Sequence, residues 1–316
     1  MSIVLMSQAT KPDQRQQLHQ QYPTWTFKTP AELTPAEYDE VVVMYGNQPL
    51  LKKFLARPTS KLKFLQVVSA GVDYLPLAAL KKAGVLVANT SGIHADAISE
   101  SVMAAMLTVV RGYHAAWENQ TGDRQWSLPQ VTSTLADQQL LIYGTGQIGQ
   151  SLAAKAEAFG MHVFGVNTTG HPAPHFEQTV AMSDTAAVLK TANFIVNALP
   201  LTPSTDHLFN QALFDQVQQR PMLINIGRGP AVKTSDLIAA LDKKQLSWAA
   251  LDVTEPEPLA PDNPLWQRSD VLITPHISGQ IAHFRRTVFP IFAANFAEFV
   301  KTGNLARNQV DLSRGY

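Results

Sequence analysis

The sequence predicts an α/β fold of two doubly wound units, and three observations predict it. Short β-rich apolar runs recur at intervals that leave room for helices between them. Those runs are continuous rather than alternating, as in parallel strands covered on both faces. One of them leads through a glycine-rich turn into a helix-like stretch and a further strand, which together read as a βαβ unit. The length of 316 residues suits two domains at ~150 residues each.

Taken in order, the first expected strands are 3–6, 41–45, 64–68 and 85–88, with a weaker candidate at 25–27. Helix-compatible stretches at 11–21, 49–56 and 76–82 lie between them, which reads as alternating layers. The proline-free stretch 95–118 predicts one long helix. A second group of strands follows at 140–143, 162–166, 194–198, 222–226, 248–253 and 271–274. Helices at 147–159, 183–190, 211–217 and 234–243 separate the first five of these. Pro256, Pro258, Pro261 and Pro264 make 254–264 a stiff, irregular loop. An aromatic-rich helix over about 282–301 comes last and is free to return to the first unit.

Composition narrows the partners. Twenty-five Lys and Arg balance twenty-five Asp and Glu, so no basic excess exists to grip a nucleic acid backbone. The absence of cysteine removes disulfides, thiolate nucleophiles and thiolate zinc sites. No apolar run approaches the ~18 residues of a membrane span, and residues 3–6 are too short for a signal core. A cytoplasmic protein without membrane or nucleic acid partners is expected.

The run 140–143 enters Gly144-Thr145-Gly146-Gln147-Ile148-Gly149, and a helix and another strand follow. That context turns a weak motif into a dinucleotide-binding one. Gly144 makes the tight turn, Gly146 lets the backbone approach a pyrophosphate, and Gly149 lets helix and strand pack closely. The ribose-binding acidic residue usually found at the end of the next strand is replaced by Asn167, followed by Thr168 and Thr169. No carboxylate there repels a 2′-phosphate, and an amide and two hydroxyls can donate to one. No Arg or Lys clamps it either, so NADP is favoured over NAD only modestly.

Three later strand ends supply chemistry: Arg228 after 222–226, Glu257 beyond Asp252, and His276 after 271–274. Residues just beyond the carboxyl ends of parallel strands line the ligand crevice of such sheets. An arginine, a glutamate and a histidine placed there make an anion anchor, an orienting carboxylate and a proton donor. With these residues assembled, the sequence resembles the D-isomer-specific 2-hydroxyacid dehydrogenase family over most of its length. The matching segments are Asn89-Thr90-Ser91-Gly92 with Glu100, Leu199-Pro200-Leu201-Thr202-Pro203-Ser204-Thr205, Ile224-Asn225-Ile226-Gly227-Arg228-Gly229, the Asp252–Glu257 spacing and Pro275-His276. Ser91 and His94 depart from the family's Pro and Asn, which bears on the hinge.

The resemblance implies a flavodoxin-like substrate domain from 1–93 and 283–316, and a Rossmann dinucleotide-binding domain from 94–282. It implies an NAD(P)-dependent oxidoreductase acting on a small 2-oxoacid or D-2-hydroxyacid in the cleft between them, and a homodimer formed through the cofactor domain. His276 would be the general acid, Glu257 its orienting partner and Arg228 the substrate anchor, with backbone groups of Ala70, Gly71 and Val72 as a carboxylate cradle. Pro200, Thr205, Ile226 and Gly227 would join the glycine loop around the cofactor, and Asp252 would face the nicotinamide carboxamide.

Other readings stay open. A nucleotide-sensing corepressor retains the same fold, and formate or phosphite oxidation occurs on it too, although formate oxidation goes with a Gln beside the histidine where this chain has Pro275. Lys52, Lys53 and Arg57 suit either a phosphorylated substrate or a solvated face. His171 and His175 resemble a metal pair, but the prolines between them prevent helical geometry and no third ligand is evident. Trp117 and Trp126 read as interface or core aromatics.

Overall fold

The computed structural model describes residues 2–46, 49–122, 124–127 and 132–313. The chain divides into two compact units, Met1–Ile93 with Ile281–Tyr316, and His94–Gln280.

In the first unit, β1 (Ser2–Met6), β2 (Trp25–Lys28), β3 (Val41–Tyr45), β4 (Phe64–Gln66) and β5 (Leu86–Ala88) form a parallel sheet in the order β2-β1-β3-β4-β5. That is the flavodoxin-like order. The continuous apolar runs bury both faces. Along β1, Ile3 and Leu5 enter one core while Val4 and Met6 enter the other, as a period of two requires. Helices α1 (Pro12–Gln21), α2 (Leu50–Leu55) and α3 (Leu77–Lys82) connect the strands.

The second unit opens with α4 (Ala95–Val110) and α5 (Tyr113–Thr121). The single helix expected over 95–118 is broken because Gly112 takes φ +69, a left-handed conformation that ends a helix. Then follow β6 (Gln139–Tyr143), α6 (Gln147–Ala158), β7 (His162–Asn167), β8 (Gln178–Ala181), α7 (Ala186–Thr191) and β9 (Phe194–Asn197). The unit continues with α8 (Gln211–Phe214), β10 (Met222–Asn225), α9 (Thr234–Asp242), β11 (Trp248–Leu251) and β12 (Val271–Ile273). Strand β8 is not expected from the sequence because its residues, the exposed Gln178 and the half-buried Thr179, Val180 and Ala181, carry little apolar signal. The parallel order is β12-β11-β10-β9-β6-β7-β8, a Rossmann sheet whose order reverses between β6 and β9. On α6, Gly149, Leu152, Ala153 and Ala156 recur at i, i+3, i+4 and i+7 and are its buried face.

The chain ends on α10 (Phe284–Thr302), which starts two residues later than expected and belongs to the first unit. Its Phe292 stacks on Tyr45 at 4.3 Å and its Phe296 meets Phe27 edge-on at 5.8 Å. Asn295 donates to the buried Gln66, whose amide donates in turn to the carbonyls of Val67, Ala88 and Asn89. This buried network ties the ends of β4 and β5 together. The 308–310 segment then pairs with β5, through Asn89 N–H to Asn308 and Val310 N–H to Val87, covering that sheet edge.

Candidate active site

The glycine loop sits at the end of β6, where the sheet order reverses. Gly144 takes φ +107, and a Cβ on Gly149 would fall 2.0 Å from the Gly144 carbonyl oxygen. Any side chain at 149 would force α6 away from the loop. A Cβ on Gly146 would meet nothing within 4 Å, so open space lies before the first turn of α6, with Gln147 exposed and Ile148 half-buried beside it. The residues present therefore fit a dinucleotide pyrophosphate.

At the end of β7 the structure changes the reading of Asn167. Its side chain is buried, 7% exposed. The amide donates to Thr145 Oγ1 at 3.1 Å and to the His171 carbonyl at 2.8 Å. Its oxygen accepts from the N–H groups of Thr169 and Gly170, at 3.2 and 2.7 Å. Both amide hydrogens are used, so Asn167 shapes the loop and does not donate to a 2′-phosphate. Thr168 and Thr169 remain exposed.

The loop after β9 is closed by Thr205, 5% exposed, whose hydroxyl donates to the Pro200 carbonyl at 2.7 Å and accepts from Thr202 N–H at 2.8 Å. Asn197 and Asn225 end neighbouring strands and are fully buried, with the Asn197 amide donating to Asn225 Oδ1 at 2.9 Å. Asn225 donates to the Arg228 carbonyl at 3.0 Å and accepts from Gly227 N–H. No sequence motif singles out Asn197 or gives Asn225 a role. The available signal was an amide ending each of two successive apolar strands.

Arg228 follows β10 in extended conformation, half-buried, with Nη1 donating to the Gly227 carbonyl at 2.8 Å. Gly229 beside it is a steric necessity, since a Cβ there would lie 1.9 Å from the Thr254 carbonyl oxygen. Beyond β11, Glu257 accepts from Thr254 N–H at 3.1 Å through Oε1, and its Oε2 lies 3.0 Å from His276 Nδ1. That contact fixes the Nδ1–H tautomer or the imidazolium and turns Nε2 to the other side of the ring. Arg228, Glu257 and His276 thus follow three neighbouring strands, β10, β11 and β12.

His276 itself takes φ +53, a strained position for a non-glycine residue. Its backbone is held by N–H bonds to the carbonyls of Asp252 and Thr274. The Asp252 side chain holds the rest of that loop. One oxygen accepts from Thr274 Oγ1 at 2.5 Å and Ile277 N–H at 2.9 Å, the other from Ser278 N–H at 3.0 Å and Ser278 Oγ at 2.5 Å. Four donors fill the ~4 lone-pair positions of a carboxylate. Asp252 is therefore a clamp on the histidine loop rather than a ligand of the nicotinamide carboxamide. From α4, His94 Nδ1 meets the Gly279 carbonyl at 2.6 Å, and burial holds its imidazole below the usual basicity.

In the first unit, Ser69 Oγ donates to the Gly71 carbonyl at 2.9 Å and Asn89 donates to the Ala70 carbonyl at 2.8 Å. These bonds pull the carbonyls of the 70–72 segment inward; Val72 is 1% exposed. Arg57 does not wait for a phosphate, because it makes a two-point pair with Asp39 at 2.7 and 2.8 Å, whereas Lys52 and Lys53 are exposed. No helix among the described residues is long and apolar enough to cross a membrane, and none of their acidic, histidine or cysteine clusters is arranged to hold a metal.

Residues 103–278 match the model for the D-isomer specific 2-hydroxyacid dehydrogenase NAD binding domain. A glyoxylate reductase/hydroxypyruvate reductase of Mus musculus is 34% identical over 77% of this chain and 75% of its own. A crystal structure of phosphoglycerate dehydrogenase from Lactobacillus plantarum is 75% identical, covers 98% of this chain and 100% of its own, and superposes with a TM-score of 0.61. A D-isomer specific 2-hydroxyacid dehydrogenase from Xanthobacter autotrophicus, solved with NADPH and MES, is 27% identical over 100% of this chain and 99% of its own, with a TM-score of 0.84.

Proposed function

The chain belongs to the D-isomer-specific 2-hydroxyacid dehydrogenase family, and from that premise we propose that it reduces a small 2-oxoacid to the D-2-hydroxyacid, using NADPH at least as well as NADH. The observation that carries the reading is the His276–Glu257 contact at 3.0 Å beyond β12, next in the sheet to the strands that carry Glu257 and Arg228. When bound, the nicotinamide supplies the hydride that reaches C2 of the oxoacid. The chain's own residues manage the charge that develops on the carbonyl oxygen. His276 delivers a proton to that oxygen from Nε2, while Glu257 holds Nδ1–H and stabilises the imidazolium that precedes the transfer. Arg228 binds the substrate carboxylate or carbonyl oxygen with its planar fork. Backbone N–H groups of Ala70, Gly71 and Val72 are assigned to the substrate carboxylate, and Pro200, Thr205, Ile226 and Gly227 to the cofactor.

A panel of glyoxylate, hydroxypyruvate and longer 2-oxoacids, followed by absorbance with NADH and NADPH separately, tests this. Turnover of at least one short oxoacid is expected. Cofactor binding without turnover of any would overturn the reading. In the same assay Arg228→Lys keeps the charge but loses the two-point fork, so it raises KM for the oxoacid and lowers kcat. If only the nucleotide KM rose, Arg228 would be a cofactor ligand instead. A second reading, oxidation of phosphoglycerate, is favoured by the name of the 75% identical relative. Against it stands Arg57, already paired with Asp39. Including 3-phosphoglycerate with each oxidised cofactor separates the two.

We also propose a homodimer formed through the cofactor unit. Helix α5 has no buried residue, with Tyr113 63% and Trp117 67% exposed, and Trp126 follows it at 104%. Exposed aromatics on an uncovered helix suit an interface. Sedimentation velocity should give a dimer, and Trp117→Glu with Trp126→Glu should shift it to monomer at micromolar concentration. A wild type that sediments as a monomer would remove the proposal.

A further inference from the structure

We propose that His171 is the cation that reads the 2′-phosphate of NADP(H), so that cofactor choice in this protein follows pH; the proposal rests on the NADPH reading above. The end of the second Rossmann strand is where the adenosine ribose lies, and in this chain that strand is β7. The sequence offers no Arg or Lys there, and the structure commits Asn167 to the loop itself. The bonds that consume Asn167 have a second consequence: they fold the chain back so that His171 returns beside Thr169, with Thr169 Oγ1 and His171 Nδ1 3.1 Å apart. From β8, Thr179 Oγ1 donates to the carbonyls of Gly170 and His171, at 2.9 and 2.8 Å, and locks the turn. The exposed imidazole therefore stands with the exposed Thr168 and Thr169 at the position the ribose would take.

Its neighbours show why this histidine differs. His162 on β7 lies 2.7 Å from Glu177, and His175 lies 2.9 Å from Glu157 on α6. The other charged groups on the flanking elements are Lys155 on α6, paired with Asp96, and the exposed Asp184 beyond β8. None of these carboxylates is bonded to His171, whose ring meets only a hydroxyl among the described residues. Among the described residues no carboxylate pairs with this ring, and a phosphate beside two threonine hydroxyls supplies a counter-ion. Imidazole changes charge between about pH 5 and pH 8, and a phosphate monoester is largely dianionic above about pH 6. A protonated imidazole adds an ion pair to its hydrogen bond with a phosphate, and a neutral one does not.

The test is a binding measurement without turnover, by titration calorimetry with 2′,5′-ADP and 5′-AMP at about pH 6.5 and about pH 8.5. The loop uses the His171 carbonyl, so its side chain can be replaced without unmaking the Asn167 bonds. In the wild type, Kd for 2′,5′-ADP should rise roughly tenfold across that interval, the loss of one charge-assisted contact, and Kd for 5′-AMP should not. His171→Gln should bind 2′,5′-ADP weakly at both pH values, and His171→Lys tightly at both. The ratio of kcat/KM for NADPH to that for NADH should follow the same pattern. An unchanged pH slope in His171→Gln overturns the role of His171 and leaves the NADPH reading standing. A wild type that binds 2′,5′-ADP no better than 5′-AMP at either pH overturns both.

Discussion

Replacing His276 with alanine is expected to lower kcat by ~10²–10⁴-fold, the usual contribution of a positioned general acid, with NADPH affinity unchanged. The side chain meets Glu257, while the backbone of the loop is held separately through the carbonyls of Asp252 and Thr274. On the proposed mechanism, removing the imidazole removes proton delivery and leaves the scaffold. Alanine keeps the Cβ that makes φ +53 costly, so His276→Asn, which tolerates that region, is the companion variant. Stopped-flow reduction and nucleotide fluorescence titration on both variants separate chemistry from binding. Near-normal turnover in His276→Asn would take His276 out of the mechanism.

Asp252→Asn is expected to lower both melting temperature and kcat, the latter by roughly 10²-fold, without touching a reacting group. The carboxylate accepts four hydrogen bonds from Thr274, Ile277 and Ser278. An amide offers one acceptor oxygen and one NH₂ group, so a donor would face donors on one side of the clamp. Hydrogen bonds to a charged acceptor contribute ~1.5–3 kcal/mol each, and about 2.7 kcal/mol of misplacement at the transition state corresponds to that 10²-fold. Thr274→Val removes a single bond and should have a milder effect on both quantities. Wild-type kcat in Asp252→Asn would mean that the clamp does not position His276.

Much of the site was readable in one dimension because its determinants are local. Gly144, Gly146 and Gly149 answer to backbone sterics within six residues, and a strand before and a helix after them settle the motif. The run-and-gap pattern predicted both parallel sheets, since their central strands are buried on two faces and must be apolar throughout, whereas the partly exposed edge strand β8 carries no such run. Strand ends then pointed to Arg228, Glu257 and His276, because parallel sheets expose such positions at one edge. The helix break at Gly112 was not legible, as a glycine is tolerated in a helix until its conformation is known.

What this sequence determined by itself was which residue types stand at which strand ends, and hence the fold class and the kind of chemistry. What only the tertiary structure decided was how those polar groups spend their hydrogen bonds. Asn167 and Asp252 look like cofactor ligands in the chain. In the fold, Asn167 bonds to Thr145 and to the 169–171 turn, and Asp252 to Thr274 and the 277–278 turn. A buried donor or acceptor must find its partner within reach. Groups brought together by folding, such as the Ser278 hydroxyl 26 residues from Asp252, compete for lone pairs on terms that spacing does not encode.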